Sequence, residues 1–250
     1  MKARARVVAA GDGAGGTRLT TLRSEAPLVL RDTPGGLYLV GGAGGPLGGD
    51  DLAIEIEVGA GARLTIRTAA ASIVLPGRPG DGPSNLHVDA RVAAGGELRW
   101  LPGPVVAVQG CVHHVEMVVA LEEGAALMWR EEVVLGRHGE PPGSVRSRAT
   151  VDVGGRPLLR HELALGPGHP GAASPAVTAG ARAVGSVLLA GPEWATGAGS
   201  TVVGDRAVVL PLAGPGWQVL ALADDAPALR RQLIAGIEAA ARHTAGRAAP

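Results

Sequence analysis

The chain has 250 residues, 46% of them hydrophobic but only 2% aromatic, with no Phe, so Val, Leu, Ile and Ala must pack a core of one large all-β domain or two small ones. The formal net charge is zero, which excludes the basic field of a nucleic-acid binder, and five aromatics leave little to stack bases on. The single cysteine, Cys111, excludes an internal disulfide framework.

Forty Gly and nineteen Pro favour many short strands over long helices. Residues 3–8 and 17–22 are the first expected strands, joined across the glycine turn 11–16. Residues 28–31 come next, closed by Pro34-Gly35-Gly36, and then 37–40. The first sixteen residues are basic, but Val7-Val8-Ala9-Ala10 is too short for a signal-peptide core. No apolar run reaches eighteen residues, so a cytosolic chain is expected.

The stretch 41–68 sets the pattern for the middle of the chain. A glycine-rich turn closes on Asp50 and Asp51; Leu52, Ile54, Ile56 and Val58 then alternate with Ala53, Glu55 and Glu57. That period of two marks a strand with one buried and one wet face. Gly59-Ala60-Gly61 breaks it, and Leu64, Ile66 and Thr68 resume the alternation, which reads as a hairpin. The unit recurs: glycines at 61, 95 and 124 are each followed by Leu three residues on and a large apolar residue two later. Each is preceded by an alternating strand, 52–58, 86–92 and 113–121. A fainter copy spans 145–159.

Repeats of this kind predict an all-β fold, mainly antiparallel hairpins stacked into a helical or wrapped β-sandwich. An ordinary antiparallel sandwich is the alternative. Residues 166–199 are rich in Gly, Ala, Pro and Ser around an apolar island at 184–190, and read as a loop or weakly ordered insert. Strand patterning returns at 207–212 and 218–222. Asp224, Asp225 and Pro227 then start a C-terminal α-helix to about His243, with Leu229, Leu233, Ile234, Ile237, Ala240 and Ala241 on one face. That stripe is expected to dock on the chain's own sheet, and the tail 244–250 to be disordered. The chain thus divides into a repeated β-hairpin core, 1–165, and a loop-rich segment, 166–250, of the same domain.

Cys111, His113 and His114 invite a metal reading. On a strand Cys111 and His113 share a face while His114 points away, and no second Cys or paired-His segment completes a tight site. A cupin-like metal oxygenase centred on His113 would need an H-x-H pair with a downstream Glu and His, whereas these histidines are adjacent. There is no G-x-S-x-G elbow, and the runs at 11–16 and 41–49 lack the Lys-Ser/Thr of a phosphate loop. The carboxylates Asp50, Asp51, Glu131, Glu132 and Glu140 can pass a divalent cation without holding it tightly. Glu131 and Glu132 face opposite ways on a strand, so at most one points inward.

Four segments in order carry a family resemblance: GGPLGGDD (44–51), GARLTIRTAAAS (61–72), GGELRWLPGPVV (95–106) and GAALMWREEVVLGRHGE (124–140). Together they resemble the urease accessory protein D family, also called UreH, best over residues 17–165. The resemblance implies a largely β stack with a few helices and a non-catalytic scaffold, joined to the F accessory protein and through it to the GTP-binding G protein. Such an assembly docks on apo-urease and helps deliver Ni²⁺ in transit, with no tightly bound cofactor. By the matching motif positions, Asp50, Ser72, Glu131 and Glu140 are the expected nickel-channel or partner-contact residues. The rival readings at this point are the cupin-like oxygenase and a purely structural β-repeat protein.

Overall fold

The computed structural model describes residues 1–172, 174–194 and 199–245. Strands β1 (Lys2–Gly11) and β2 (Thr17–Ser24) form one hairpin, β3 (Leu28–Thr33) and β4 (Gly36–Gly41) another. Three coils come next, each running along one sheet, turning a corner and returning along the other. They are β5 (Asp51–Val58) to β6 (Arg63–Thr68) with the short β7 (Ser72–Val74), β8 (Ser84–Val92) to β9 (Glu97–Leu101) with β10 (Val105–Ala107), and β11 (Val112–Leu121) to β12 (Ala126–Leu135). The hairpin of β13 (Ser144–Val153) and β14 (Arg156–Leu165) ends the first sheet. The second is extended by β15 (Ala183–Ala190), β16 (Thr201–Val203), β17 (Ala207–Pro211) and β18 (Gly216–Ala223), and α1 (Ala226–Ala245) closes the described chain.

The first sheet has the order β14-β13-β11-β8-β5-β1-β2; the second runs β16-β17-β18-β15-β12-β9-β6-β4-β3, with β7 and β10 joined beside β12. The fold is therefore all-β, a stack of solenoid-like coils with one C-terminal helix, as the sequence predicts. The local pairing differs. β5, β8, β11 and β13 lie parallel in one sheet and β4, β6, β9 and β12 parallel in the other, so the repeats are coils and not hairpins.

Turn geometry decides between the two. Each coil corner spans four residues and closes with one bond, Ala62 N–H to Gly59 O, Gly96 to Ala93 and Ala125 to Glu122. Its third residue, Gly61, Gly95 or Gly124, has φ of +69°, +71° or +84°, a left-handed conformation that glycine adopts without steric cost. This corner sends the chain to the opposite sheet. Between β13 and β14 only Gly154 and Gly155 intervene, both with positive φ, which is the two-residue turn of a true hairpin.

Inward side chains form columns along the stack. Ile54, Val88 and Met117 align in one sheet, and Ile66, Trp100 and Trp129 in the other. Trp100 and Trp129 stack with ring centroids 5.0 Å apart. Burying each such aliphatic side chain contributes about 1.5–3 kcal/mol.

A second core lies outside the sandwich. Leu229, Leu233 and Ala240 of α1 pack on Val187, Trp217 and Val219, and a Cβ on Gly236 would collide with Val219. The helix docks on its own sheet as expected, although Ile234 is 49% exposed and Ala241 is exposed, so the buried stripe is narrower than predicted. Asp225 accepts the Ala228 N–H at 2.7 Å and so caps the helix. The helix continues through Thr244 and Ala245, which corrects the start of the expected disordered tail; 246–250 lie outside the described residues. Within the loop or insert expected at 166–199, residues 183–190 are corrected to strand β15. It is a central strand, covered by the sandwich on one face and α1 on the other, and so shows no alternation.

Candidate functional site

The alternation of β12 aims Leu127, Trp129, Glu131 and Val133 into the sandwich. Beyond Trp129 a half-open cavity of about 440 Å³ lies between strands of the two sheets, and Glu131 lines it. Glu131 lies opposite Ser186 of β15. Its carboxylate accepts a bond from Ser147 Oγ of β13 at 3.0 Å and a longer one from Trp129 Nε1 at 3.5 Å. The bond from Ser147 joins the two sheets at this side chain. His161 of β14 and Asp205, before β17, add two further donors, while Val133, Leu163, Val177, Leu220 and Leu222 make the wall largely apolar.

Glu131 is half-buried at the cavity wall, and burial raises its pKa above the ordinary carboxylate value, opposed by the bonds from Ser147 and Trp129. Burial also lowers the pKa of His161. The arrangement offers a sparse set of oxygen and nitrogen donors in an apolar chamber, which can pass a divalent cation along but cannot grip it. Among the described residues no three His, Cys, Asp or Glu side chains converge on one point.

Glu132 faces outward, as the alternation requires, yet it is buried, at 3% exposed, because α1 covers that side. Arg130 Nε lies 2.8 Å and Arg230 Nε 2.6 Å from Glu132 Oε1, and Arg230 Nη2 donates to Oε2 at 2.9 Å. The Arg230 link spans 98 positions of sequence, and local pattern carries no signal for it.

The other expected residues lie elsewhere. Asp50 is 5% exposed; its Oδ1 accepts from the Met1 α-amino group at 2.8 Å and its Oδ2 from the Leu47 N–H at 2.9 Å. It folds the glycine-rich turn back on itself. Ser72 begins β7 on the rim of a separate groove of about 360 Å³, which Gly45 and Pro46 of that turn also line. Glu140 is held by Arg137 through Nε at 3.0 Å and Nη2 at 2.9 Å, and this pairing lowers its pKa to about 2. Of the four, only Glu131 lines the cavity beyond Trp129.

The Cys111–His114 cluster does not converge. Cys111 is buried among Val108, Val145 and Leu165, and burial raises its thiol to about 11. His113 is 1% exposed, with Nδ1 2.8 Å from Ser84 Oγ, while His114 points away towards Arg146. The donor geometry of a cupin-like centre is not formed around His113 among the described residues.

The family model described as UreD urease accessory protein matches residues 1–250. The chain belongs to the UreD family. It is 46% identical over 264 residues to the urease accessory protein UreD of Parafrankia sp. (strain EAN1pec), covering 95% of this chain and 89% of that one. It is likewise 46% identical over 240 residues to UreD of Streptomyces avermitilis, covering 93% and 95%. Membership of the UreD family supports an accessory, non-catalytic role in urease maturation, in company with urease and its other accessory proteins. No helix among the described residues is long and apolar enough to cross a membrane.

Proposed function

We propose that this UreD chain is a maturation scaffold that binds apo-urease together with F- and G-type accessory proteins and assists the passage of Ni²⁺ to the urease active site. In this reading it holds no resident metal, and nickel is cargo. The observation that carries the reading is the inward carboxylate of Glu131, set in a cavity of about 440 Å³ and bridged to the opposite sheet by Ser147. A cation entering there meets the Glu131 carboxylate, whose charged form burial disfavours. Ser147, His161 and Asp205 supply further donors. Ser72, on the groove rim near Gly45, and Glu140, on the 136–143 loop, are proposed as partner-contact positions, and the buried Asp50 as the residue that shapes the turn beside them. The cytosol is the proposed compartment.

The test is urease activity in cells co-expressing the cognate urease and accessory proteins at limiting nickel. Glu131→Gln keeps the shape and the Ser147 bond while removing the charge. Activation is expected to fall about tenfold at low nickel and to recover at high nickel, with the complex still co-purifying. Unchanged activation at low nickel overturns the role given to Glu131. Full activation with the chain omitted overturns the scaffold itself.

A further inference from the structure

The outer face of the second sheet is only partly covered. α1 packs over β15, β17 and β18, which leaves β3, β4, β6 and β9 and one edge of β12 without a covering helix. On that uncovered half the strand alternation sets Arg31, Arg63, Arg67 and Arg99 on one outer face. Arg31 pairs with Tyr38 and Tyr38 with Arg67, while Arg99 pairs with Thr65 on one side and Met128 on the other. Arg63 pairs with Glu97, and Arg130 and Arg230 share Glu132 at the border with the helix.

These six guanidiniums meet two carboxylates, Glu97 and Glu132, an excess of four positive charges in a chain whose net charge is zero. The opposite outer face interleaves its signs through pairs such as Arg6–Glu57, Arg148–Glu162 and Arg160–Asp152. The crowding is felt locally: burial, then the nearby Arg230 and Arg67, lower the pKa of Arg130, with Glu132 acting the other way.

We propose that this uncovered half-sheet is the docking surface for an acidic face of another folded protein. Arg and Tyr are enriched in protein–protein interfaces, and here Tyr38 and Leu101 lie half-buried between the charges. A nucleic acid fits less well. Trp100, Trp129 and Trp217 are buried and offer no stacking platform, and a neutral chain projects no long-range field. The scaffold reading enters only in the choice of proteins used as bait.

The experiment is co-purification of the full chain with the cognate urease and accessory proteins over a salt series. Three forms are compared: wild type, Arg67→Glu/Arg99→Glu, and the control Arg6→Glu/Arg91→Glu on the opposite face. Retention of one acidic partner is expected to be salt-sensitive in the wild type, to fall about tenfold in the first variant, and to persist in the control. Arg67→Gln/Arg99→Gln, with an unchanged melting temperature and an intermediate loss, separates docking from misfolding. Equal retention in all forms overturns the docking surface while leaving the scaffold intact. If the wild type retains no partner, the scaffold reading fails, and labelled poly-L-glutamate then tests the face alone. Binding abolished by Arg67→Glu/Arg99→Glu upholds the surface. No binding, or tighter binding of a single-stranded oligonucleotide of the same length, overturns it.

Discussion

His113 and Glu131 show burial acting on two titratable groups with opposite signs. Burial holds His113 at about 4, against 6.5 for the free side chain, with Ser84 partly offsetting the shift. Between those values the unfolded chain takes up a proton that the folded chain refuses, so stability present above pH 6.5 is lost as the pH falls towards 4. Urea midpoints are expected to drop across that window, and the drop to shrink in His113→Asn; equal drops in both chains would place the dependence on another group. For Glu131 the raised pKa gives stability that is present below the unfolded value near 4.5 and lost as the pH rises through the folded one. At this scale the sequence was half legible. Alternation placed Glu131 and Glu132 on opposite faces and His114 away from His113. It could not show that Glu132 is buried despite facing outward, because its cover comes from Arg230 and its helix.

The joint between α1 and β12 rests on Glu132. Removing this carboxylate leaves the Arg130 and Arg230 guanidiniums, one of them well buried, facing each other without a counter-charge. Glu132→Ala is therefore expected to cost about 3 kcal/mol, measured as a lowered denaturation midpoint with an unchanged slope. A cost below about 0.5 kcal/mol, the size of an exposed pair, would mean that the arrangement is loosely held. The helix itself was readable from Asp225, Pro227 and the Leu229–Leu233 spacing, all local signals. β15 was not. A strand buried on both faces carries no period of two, and AVGSVLLA sits among Gly, Ala and Pro that otherwise mark a loop.

Across the whole molecule, stability is carried by neighbour-to-neighbour stacking of coils, so the middle coils have support from both sides. Native-state hydrogen exchange is expected to be slowest in β8, β9 and β11 and fastest in β16, a three-residue edge strand. Uniform protection would mean that the stack opens only as one unit. The stack was legible as a repeat, from the glycines at 61, 95 and 124. Its parallel pairing was not, because a four-residue corner and a two-residue hairpin turn both announce themselves by glycine, and only their length and hydrogen bonds differ.

The long reach from Glu132 to Arg230 also bears on how the chain is made. Translation at roughly 5–20 residues per second delivers Arg230 some 5–20 s after Glu132. Until then β12, at the centre of its sheet, holds a carboxylate without its helix-borne partner, and for roughly the first half of that interval an edge that β15 has not yet covered. A nascent chain paused in that interval exposes unpaired strand edge to every neighbouring polypeptide, so the length of this delay sets a window in which ribosome-associated chaperones matter more than the finished protein's stability does.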